Sequence, residues 1–395
     1  GQLSAAQIEE IIVTTQKREQ SLQDVPISVS AFTGSFMEKA QISDAKAVAL
    51  LTPGVSGDTD DSFLDSINVR GISTNDFGVG AEPSIGVYQD GIYLGRTGGA
   101  LSSFFDLDMV EVVKGPQGTL FGRNASAGAI SVTTAKPTDE QSGSVDLGIG
   151  EDGYSEFTGV VNMPVNDNFS QRIAIYQQKK DGWVTNINDG KKVGAIEITA
   201  ARYSLSYKSD KLSSTLMLEY EDREGPPTLY QPFDPDNTGI SFYSTDAAQH
   251  QMSSDVNSDN PSEYGDLRDE GEVWGVTLNV EVDLGNDYSL TSITGLRGHN
   301  YTYFEDFDGE DLEIFNYYQD QDQKYFSQEF RLNKDTDAVS WFVGASMYQE
   351  EIETRFNQTY DEDVMCQTLA VAYSVDYDGD PDYVESEVTD CSSYY

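Results

Sequence analysis

The feature that most limits what this chain can fold into is a strict two-residue alternation that begins at Gly143 and recurs through the rest of the sequence. Between Val273 and Leu284, the residues Trp274, Val276, Leu278, Val280, Val282 and Leu284 occupy one face, while Gly275, Thr277, Asn279, Glu281 and Asp283 occupy the other. From Tyr325 to Leu332, Phe326, Gln328, Phe330 and Leu332 alternate with Ser327, Glu329 and Arg331. Successive side chains of a strand point to opposite faces, so each segment predicts a sheet greasy on one side and polar or charged on the other. Nine such strands are expected, near 143–150, 154–163, 168–182, 196–208, 211–224, 271–284, 286–304, 321–333 and 337–353.

The connections sort by length. Short turns fall at 164–168, Ser209-Asp210, Gly285 and 333–337, with Glu151-Asp152-Gly153 a brief exception on the other side. Long stretches fall at 183–195, 225–270, 305–320 and 354–395, and 225–270 holds Pro226, Pro227, Pro232, Pro235 and Pro261, where no strand ladder needs donors. Short turns at one end and long loops at the other, joining strands of about 10 residues with one apolar face, are what a lipid-facing, water-filled barrel requires. A soluble sandwich alternates too, but these strands are longer and carry Tyr203, Tyr207, Tyr220, Tyr288 and Trp341 on the apolar face, where membrane-interface aromatics belong. Nine strands alone would leave two bare edges in lipid, where each unpaired backbone group costs several kcal/mol, so closure calls for strands beyond these.

Composition removes other classes. Mean hydropathy is -0.46, and no stretch approaches the run of about 20 apolar residues that a membrane helix needs. The 68 acidic and 24 basic residues give a formal charge of -44, which disfavours nucleic acid as a partner because phosphate binding needs a basic footprint. Such acidity is either a well-solvated coat or a means of capturing cations. His250 and His299 are too few and too scattered for a zinc or haem site, and no serine–histidine pairing or phosphate loop appears, so an enzyme is not expected. Cys366 and Cys391, alone in one polar stretch, suit a single disulfide in an oxidising compartment, with two free thiols as the alternative. Asp376, Asp378, Asp380 and Asp382 around Gly379, like Asp306, Asp308 and Asp311 around Gly309, are alternate carboxylates that either hold Ca²⁺ or form solvated acidic loop; no other cofactor is expected.

Residues 1–140 follow a different grammar. A helix is expected over the patch Asp44, Ala45, Ala47, Val48, Leu50 and Leu51, stopped by Pro53-Gly54. Strands are expected over Ile27–Phe32, Ile85–Tyr88, Met109–Val113 and Ala129–Thr133, giving a small α+β domain. Near the start, Glu10, Ile11, Ile12, Val13, Thr14 and Thr15 form an extended β-branched run able to add as a strand to a partner's sheet edge. Then come Gln20 to Gly34, Leu51-Thr52-Pro53-Gly54-Val55, Asn68-Val69-Arg70-Gly71 and Val87 to Tyr93. A long motif follows, from Val110 and Glu111 through Lys114-Gly115-Pro116-Gln117-Gly118-Thr119-Leu120-Phe121-Gly122-Arg123-Asn124-Ala125 to Lys136-Pro137.

These ordered motifs resemble the plug domain of TonB-dependent outer-membrane transporters, with Phe121 and Lys114 standing where that family often has tyrosine and arginine. The resemblance implies an α+β plug inside a transmembrane antiparallel β-barrel of 22 strands. It divides the chain into an N-terminal segment with a TonB box (1–20), a plug (21–140) and the first part of a barrel with long extracellular loops (141–395). It implies residence in the bacterial outer membrane among lipid and lipopolysaccharide, a small-molecule ligand, and TonB of the TonB-ExbB-ExbD complex as partner of Glu10 to Thr15. Uptake of a ferric siderophore is the expected activity, with cobalamin or an oligosaccharide next and a structural or adhesive surface barrel as the other class. No leader precedes Gly1 and fewer than ten residues precede the TonB box, so a trimmed start without an extra signalling domain is expected. Arg70 and Arg123 either are buried charges paired with Glu111 or with barrel acids such as Glu281 and Glu329, or serve only to fix plug turns. The aromatics Tyr230, Phe233, Phe242 and Tyr243, and Phe304, Phe307, Phe315, Tyr317 and Tyr318, either stack on a ligand or pack the loops.

Overall fold

The computed structural model describes residues 11–18, 20–57, 67–74, 82–96, 103–185, 192–225, 227–229, 267–306, 316–336 and 339–359. The N-terminal part opens with a two-stranded pairing of β1 (Ile12–Val13) and β2 (Gln20–Ser21). Then come β3 (Ser28–Thr33), α1 (Gly34–Ala40), α2 (Ala45–Leu50), and β4 (Val55–Ser56) paired with β5 (Asn68–Val69). The elements β6 (Ile85–Gln89), β7 (Ile92–Tyr93), β8 (Leu107–Lys114), α3 (Gly118–Phe121) and β9 (Gly128–Thr134) complete it. A five-stranded sheet in the order β3-β8-β9-β6-β7 carries the core, with β6 and β9 parallel and its other pairs antiparallel. Val87, Val110, Val112, Ile130 and Val132 are fully buried against Val48 and Ala49 of α2.

Local chemistry explains these elements. Asp44 caps α2 by accepting from Ala47 N at 2.9 Å, and the helix gives way at the Pro53-Gly54 turn as the sequence predicts. The β6–β7 hairpin turns on Asp90 and Gly91, both at positive φ (49° and 87°), the backbone of a two-residue I′ turn. The helix α1 has no counterpart in the periodicity. Its seven residues offer too little pattern, and tertiary contact holds it: Met37 is buried, and a Cβ on Gly34 would lie 1.9 Å from the Leu107 carbonyl oxygen.

The rest is one antiparallel meander: β10 (Ser142–Ile149), β11 (Ser155–Pro164), β12 (Phe169–Lys180), β15 (Ile196–Lys208), β16 (Leu212–Gly225), β17 (Arg268–Gly285), β18 (Tyr288–Asp306), β19 (Asn316–Asp335) and β20 (Ser340–Thr359). A minor pair, β13 (Val184–Thr185) with β14 (Lys192–Val193), sits in the connection from β12 to β15. Nine long strands lie where alternation places them, and several run past the expected ends. β17 begins three residues early, β19 begins at Asn316 rather than near 321, and β20 continues to Thr359. These extensions, such as Asn316 to Asp320, lack the greasy stripe that marks a strand, yet the hydrogen-bond ladder continues through them.

Polarity across this sheet is reversed relative to a soluble protein. Val145, Leu147, Ile149, Ile175, Leu218, Trp274, Leu278, Val343 and Met347 are exposed on the outer face, while Arg202, Glu221, Arg297, His299, Gln321 and Gln323 are buried on the inner one. Only a hydrocarbon surround makes that arrangement favourable. At the short-turn end Phe169 meets Tyr207 with centroids 4.9 Å apart and Tyr288 meets Trp341 edge-on at 6.1 Å, a girdle of interfacial aromatics. Among the described residues β10 and β20 each pair on one side only.

Candidate functional site at the seam between plug and wall

The N-terminal segment is docked. Val13 and Thr15 are buried, Ile12 is exposed, and between them Thr14 donates twice to the Glu111 carboxylate, from N at 2.7 Å and from Oγ1 at 3.1 Å. Glu111 lies on β8 with no exposed surface, and burial pushes its carboxyl above the usual value while the Thr14 donors pull the other way. Further on, Lys17 stands 3.7 Å from Glu329 of the wall and over the Phe121 ring at 5.5 Å. Burial draws its ammonium below the ordinary value, against the attraction of Glu329. Glu10 lies outside the described residues.

The glycine-rich motif positions the next group. Gly115, at φ 99°, donates to the Ala127 carbonyl at 2.8 Å, and Pro116 leads into the single turn of α3 that starts at Gly118. Gly122, at φ 85°, ends that turn and presents Arg123. Arg123 pairs with Glu82 of the plug and, at 3.2 Å, with Glu350 of β20, its guanidinium 4.5 Å from the Tyr348 ring centroid. Arg96 bridges the same two acids, at 3.2 Å to Glu82 and 3.3 Å to Glu350.

A second group joins the plug to the wall between β12 and β18. Glu219 of β16 accepts from Gln89 at 2.7 Å and pairs with Arg297 and, at 3.7 Å, with Arg202. Arg202 also donates to the Phe105 carbonyl at 2.9 Å, Glu221 accepts from Ser103 N at 2.8 Å, and Arg172 forks onto Asp106 at 2.8 and 2.5 Å. Apolar contact comes in small clusters: Ile92 meets Ile293 and Tyr325 where Gly295 lets the plug approach, and Phe105 stacks on Tyr176 beside Val160, Ala174 and Ala200.

The structure corrects the expected pairing in three places. Arg70 is exposed, at φ 53° in the turn beside Gly71, because its peptide is used to close the β4–β5 pair through the Gly54 carbonyl at 3.0 Å. Glu111 serves Thr14 rather than an arginine, and Arg123 finds Glu350 and Glu82 rather than Glu281 or Glu329. Glu281 is exposed near the short turns, and Glu329 is taken by Arg331 at 3.0 Å and by Lys17. Sequence reasoning did not single out Glu219, Arg202, Arg297, Gln89, Arg96 or Glu350; alternation puts Glu219 and Arg297 on the inner face, but only the register shows which plug atoms they meet.

Above the seam, Tyr303 and Tyr317 cross edge-on at 5.9 Å and Tyr317 meets Phe356 at 5.0 Å. Of the expected loop aromatics, Tyr317 is buried in this packing and Phe304 is buried nearby. Tyr230, Phe233, Phe242, Tyr243, Phe307 and Phe315 lie outside the described residues, as do Cys366, Cys391, Asp308, Asp311, Asp376, Asp378, Asp380 and Asp382. No group of three or more metal-ligating side chains occurs among the described residues.

A small α+β domain seated by ion pairs on the polar inner face of a sheet whose outer face is greasy defines a plugged barrel of an outer membrane. Residues 21–129 match the family model "TonB-dependent Receptor Plug Domain". The vitamin B12 transporter BtuB of Vibrio vulnificus is 25% identical over 214 residues, covering 54% of this chain and 33% of that protein. The ferripyoverdine receptor of Pseudomonas aeruginosa is 31% identical over 173 residues, 42% of this chain and 20% of the relative. In fold, the chain is similar to the ferric yersiniabactin uptake receptor FyuA of Yersinia pestis, with a TM-score of 0.69 at 18% identity over 85% of this chain and 50% of the other. Residues 21–129 are thus matched to the plug of TonB-dependent receptors, and the chain as a whole is similar to such receptors of the bacterial outer membrane. It spans about half the length of the solved relatives it matches and less of the curated ones.

Proposed function

We propose that this chain is part of a transporter that draws a scarce nutrient through the outer membrane with energy supplied by TonB, and that its cargo is a ferric siderophore. The observation that carries the reading is the docked segment Ile12 to Thr15. An extended β-branched run whose neighbour Ile12 is exposed, held to the plug by one carboxylate, is suited to be taken by a partner strand and pulled. Relatives named for ferripyoverdine and for catecholate siderophores support the cargo; one named for vitamin B12 supports cobalamin as the second reading. On this reading the protein performs no catalysis, TonB is its periplasmic partner, and lipid and lipopolysaccharide face its outer strands. Calcium at Asp376, Asp378, Asp380 and Asp382 is a separate proposal, tested by whether chelation lowers ligand affinity. Uptake of a radiolabelled ferric siderophore by cells with and without TonB tests the function. Accumulation that needs both this protein and TonB is expected; uptake indifferent to TonB would overturn it.

A further inference from the structure

One stretch of the plug, Ser103 to Asp106, is gripped by the wall partly through its own backbone. Ser103 donates its N–H to Glu221 Oε2 at 2.8 Å, and the Phe105 carbonyl accepts from Arg202 Nη1 at 2.9 Å. The Arg202 guanidinium also lies 4.5 Å from the Phe105 ring centroid. Glu221 and Arg202 stand on β16 and β15 and are 5% and 4% exposed. Each uses one end on the plug and has a second end turned away from it. Those second ends, Glu221 Oε1 and Arg202 Nε, are buried and have no hydrogen-bond partner in the protein. Glu219 Oε2 stands 3.7 Å from Arg202 Nε, beyond hydrogen-bond reach.

Glu221 and Arg202 line one cavity, together with Ser103, Phe105, Glu219 and Val273 among others. Its volume is about 10 Å³, close to the room that one water molecule needs. An occupant has to accept from a guanidinium N–H and to satisfy a carboxylate oxygen at the same time. A cation would lie against Arg202, and an anion would lie against Glu219 and Glu221. A hydroxyl of the cargo would bring a carbon skeleton that so small a volume does not admit. Water accepts with a lone pair, donates with a hydrogen and carries no charge.

We infer that this cavity is a binding site for one water molecule, which donates to Glu221 Oε1, accepts from Arg202 Nε and so holds both side chains in the orientation that grips Ser103 and Phe105. The bridge ties the carboxylate of β16 to the guanidinium of β15 at the ends away from the plug, so neither can turn without giving up a bond. It also makes the grip exchangeable. When Ser103 is drawn off, the water beside Glu221 takes the place of its N–H, and the carboxylate is not left bare in a buried site. The site does not depend on which cargo the protein carries.

The test is a crystal structure of the intact protein and hydrogen exchange in detergent, each repeated on Val273→Ile. Val273 lines the cavity directly across the β16–β17 ladder from Glu221, and one more methyl group there takes up the space. In the unmodified protein a single density peak is expected at about 2.7–3.2 Å from both Glu221 Oε1 and Arg202 Nε, with no anomalous signal after bromide or rubidium soaks. No peak, or an anomalous one, overturns the inference. In Val273→Ile the peak should be gone and the Ser103 amide should exchange about five- to hundredfold faster, because buried polar atoms are left unmatched. Val110 to Val113 of β8 should exchange as before, which shows that the plug is folded. Val273→Leu fills the same space by another route and should give the same pair of results. Filling a dry cavity would instead slow the exchange. Slower or unchanged exchange, or faster exchange with the peak still in place, overturns the positioning role of the water.

Discussion

Replacing Glu111 by alanine should release the N-terminal segment from the plug. In the docked state Glu111 accepts two hydrogen bonds from Thr14, at 2.7 and 3.1 Å, and has no exposed surface of its own. A hydrogen bond to a charged group contributes about 1.5–3 kcal/mol, and Thr14 is itself partly open to water, which replaces some of the loss. We therefore expect docking to weaken by about 2–3 kcal/mol, a shift of roughly 30- to 150-fold in the docked-to-released ratio. Val13 and Thr15 remain buried by the same docking, so the segment is loosened rather than freed outright. Trypsin reads the change at Lys17 and Arg18, since cleavage follows the open population when opening and closing are fast. Cutting there should accelerate by about the same factor in Glu111→Ala and by less in Glu111→Gln, which keeps one acceptor oxygen. Cleavage within threefold of the unmodified protein, with the plug still folded, would refute the idea that this carboxylate holds the segment.

Three further outcomes follow from the seam. Glu219→Leu leaves the wall guanidiniums of Arg297 and Arg202 without their shared acid and Gln89 of the plug without its acceptor, and losing one partner of a buried pair costs about 3–5 kcal/mol; calorimetry should show the wall melting earlier, with the plug loosened by the lost Gln89 bond. Gly295→Val places a Cβ 2.6 Å from Ile92 Cδ1 and 2.8 Å from Ser327 Oγ, an overpacking cost of about 1–3 kcal/mol that Ile92→Ala should relieve, as read by protease resistance of the plug. Burial raises the Asp90 carboxyl above its ordinary 3.8, against the Thr134 hydrogen bonds, so the folded plug holds a proton that the unfolded chain has released. That contribution is present below the ordinary value and is lost as pH rises through the raised one. Asp90→Asn should therefore flatten the fall in plug stability with rising pH, and an unchanged slope in hydrogen exchange would count against it.

The wall was legible in the sequence because lipid on one side and water on the other impose a period of two that no local detail obscures. All nine long strands and the short turn at Ser209-Asp210 lie where that period puts them, while the turn expected at Gly285 falls just past it, at Asn286-Asp287. Legibility fails where the lipid ends: Asn316 to Asp320 is strand without a greasy face, and only pairing with β18 and β20 shows it. The plug sheet could be read from short apolar runs between glycines, whereas α1 depends on contact with β8. The site was harder because a charge on the inner face announces burial but not partner. Arg123 was visible as a charge needing an acid, yet Glu350 lies 227 residues further along the chain and meets it only through the β19–β20 register.

The make-up of the seam follows from what a movable plug has to do. Apolar interdigitation is non-directional and grows with area at about 25 cal/mol per Å², so a greasy seam over a whole domain would hold it too firmly to be drawn aside. Ion pairs taken out of water recover little beyond their own desolvation cost. They fix register while adding modest net adhesion. The sharing of acids extends this point: Glu350 serves both Arg96 and Arg123 of the plug, and Glu219, held by Arg202 and Arg297 of its own wall, accepts from Gln89 of the plug. A plug sliding past such a wall exchanges one partner for another before both are lost, and the apolar contacts between them are separate small clusters, Ile92 on Ile293 and Tyr325, Phe105 on Val160, Ala174, Tyr176 and Ala200, and Tyr93 on Tyr348, that can break one at a time. Position is set by charge and geometry, and the strength of attachment is kept within what a pulled strand can overcome.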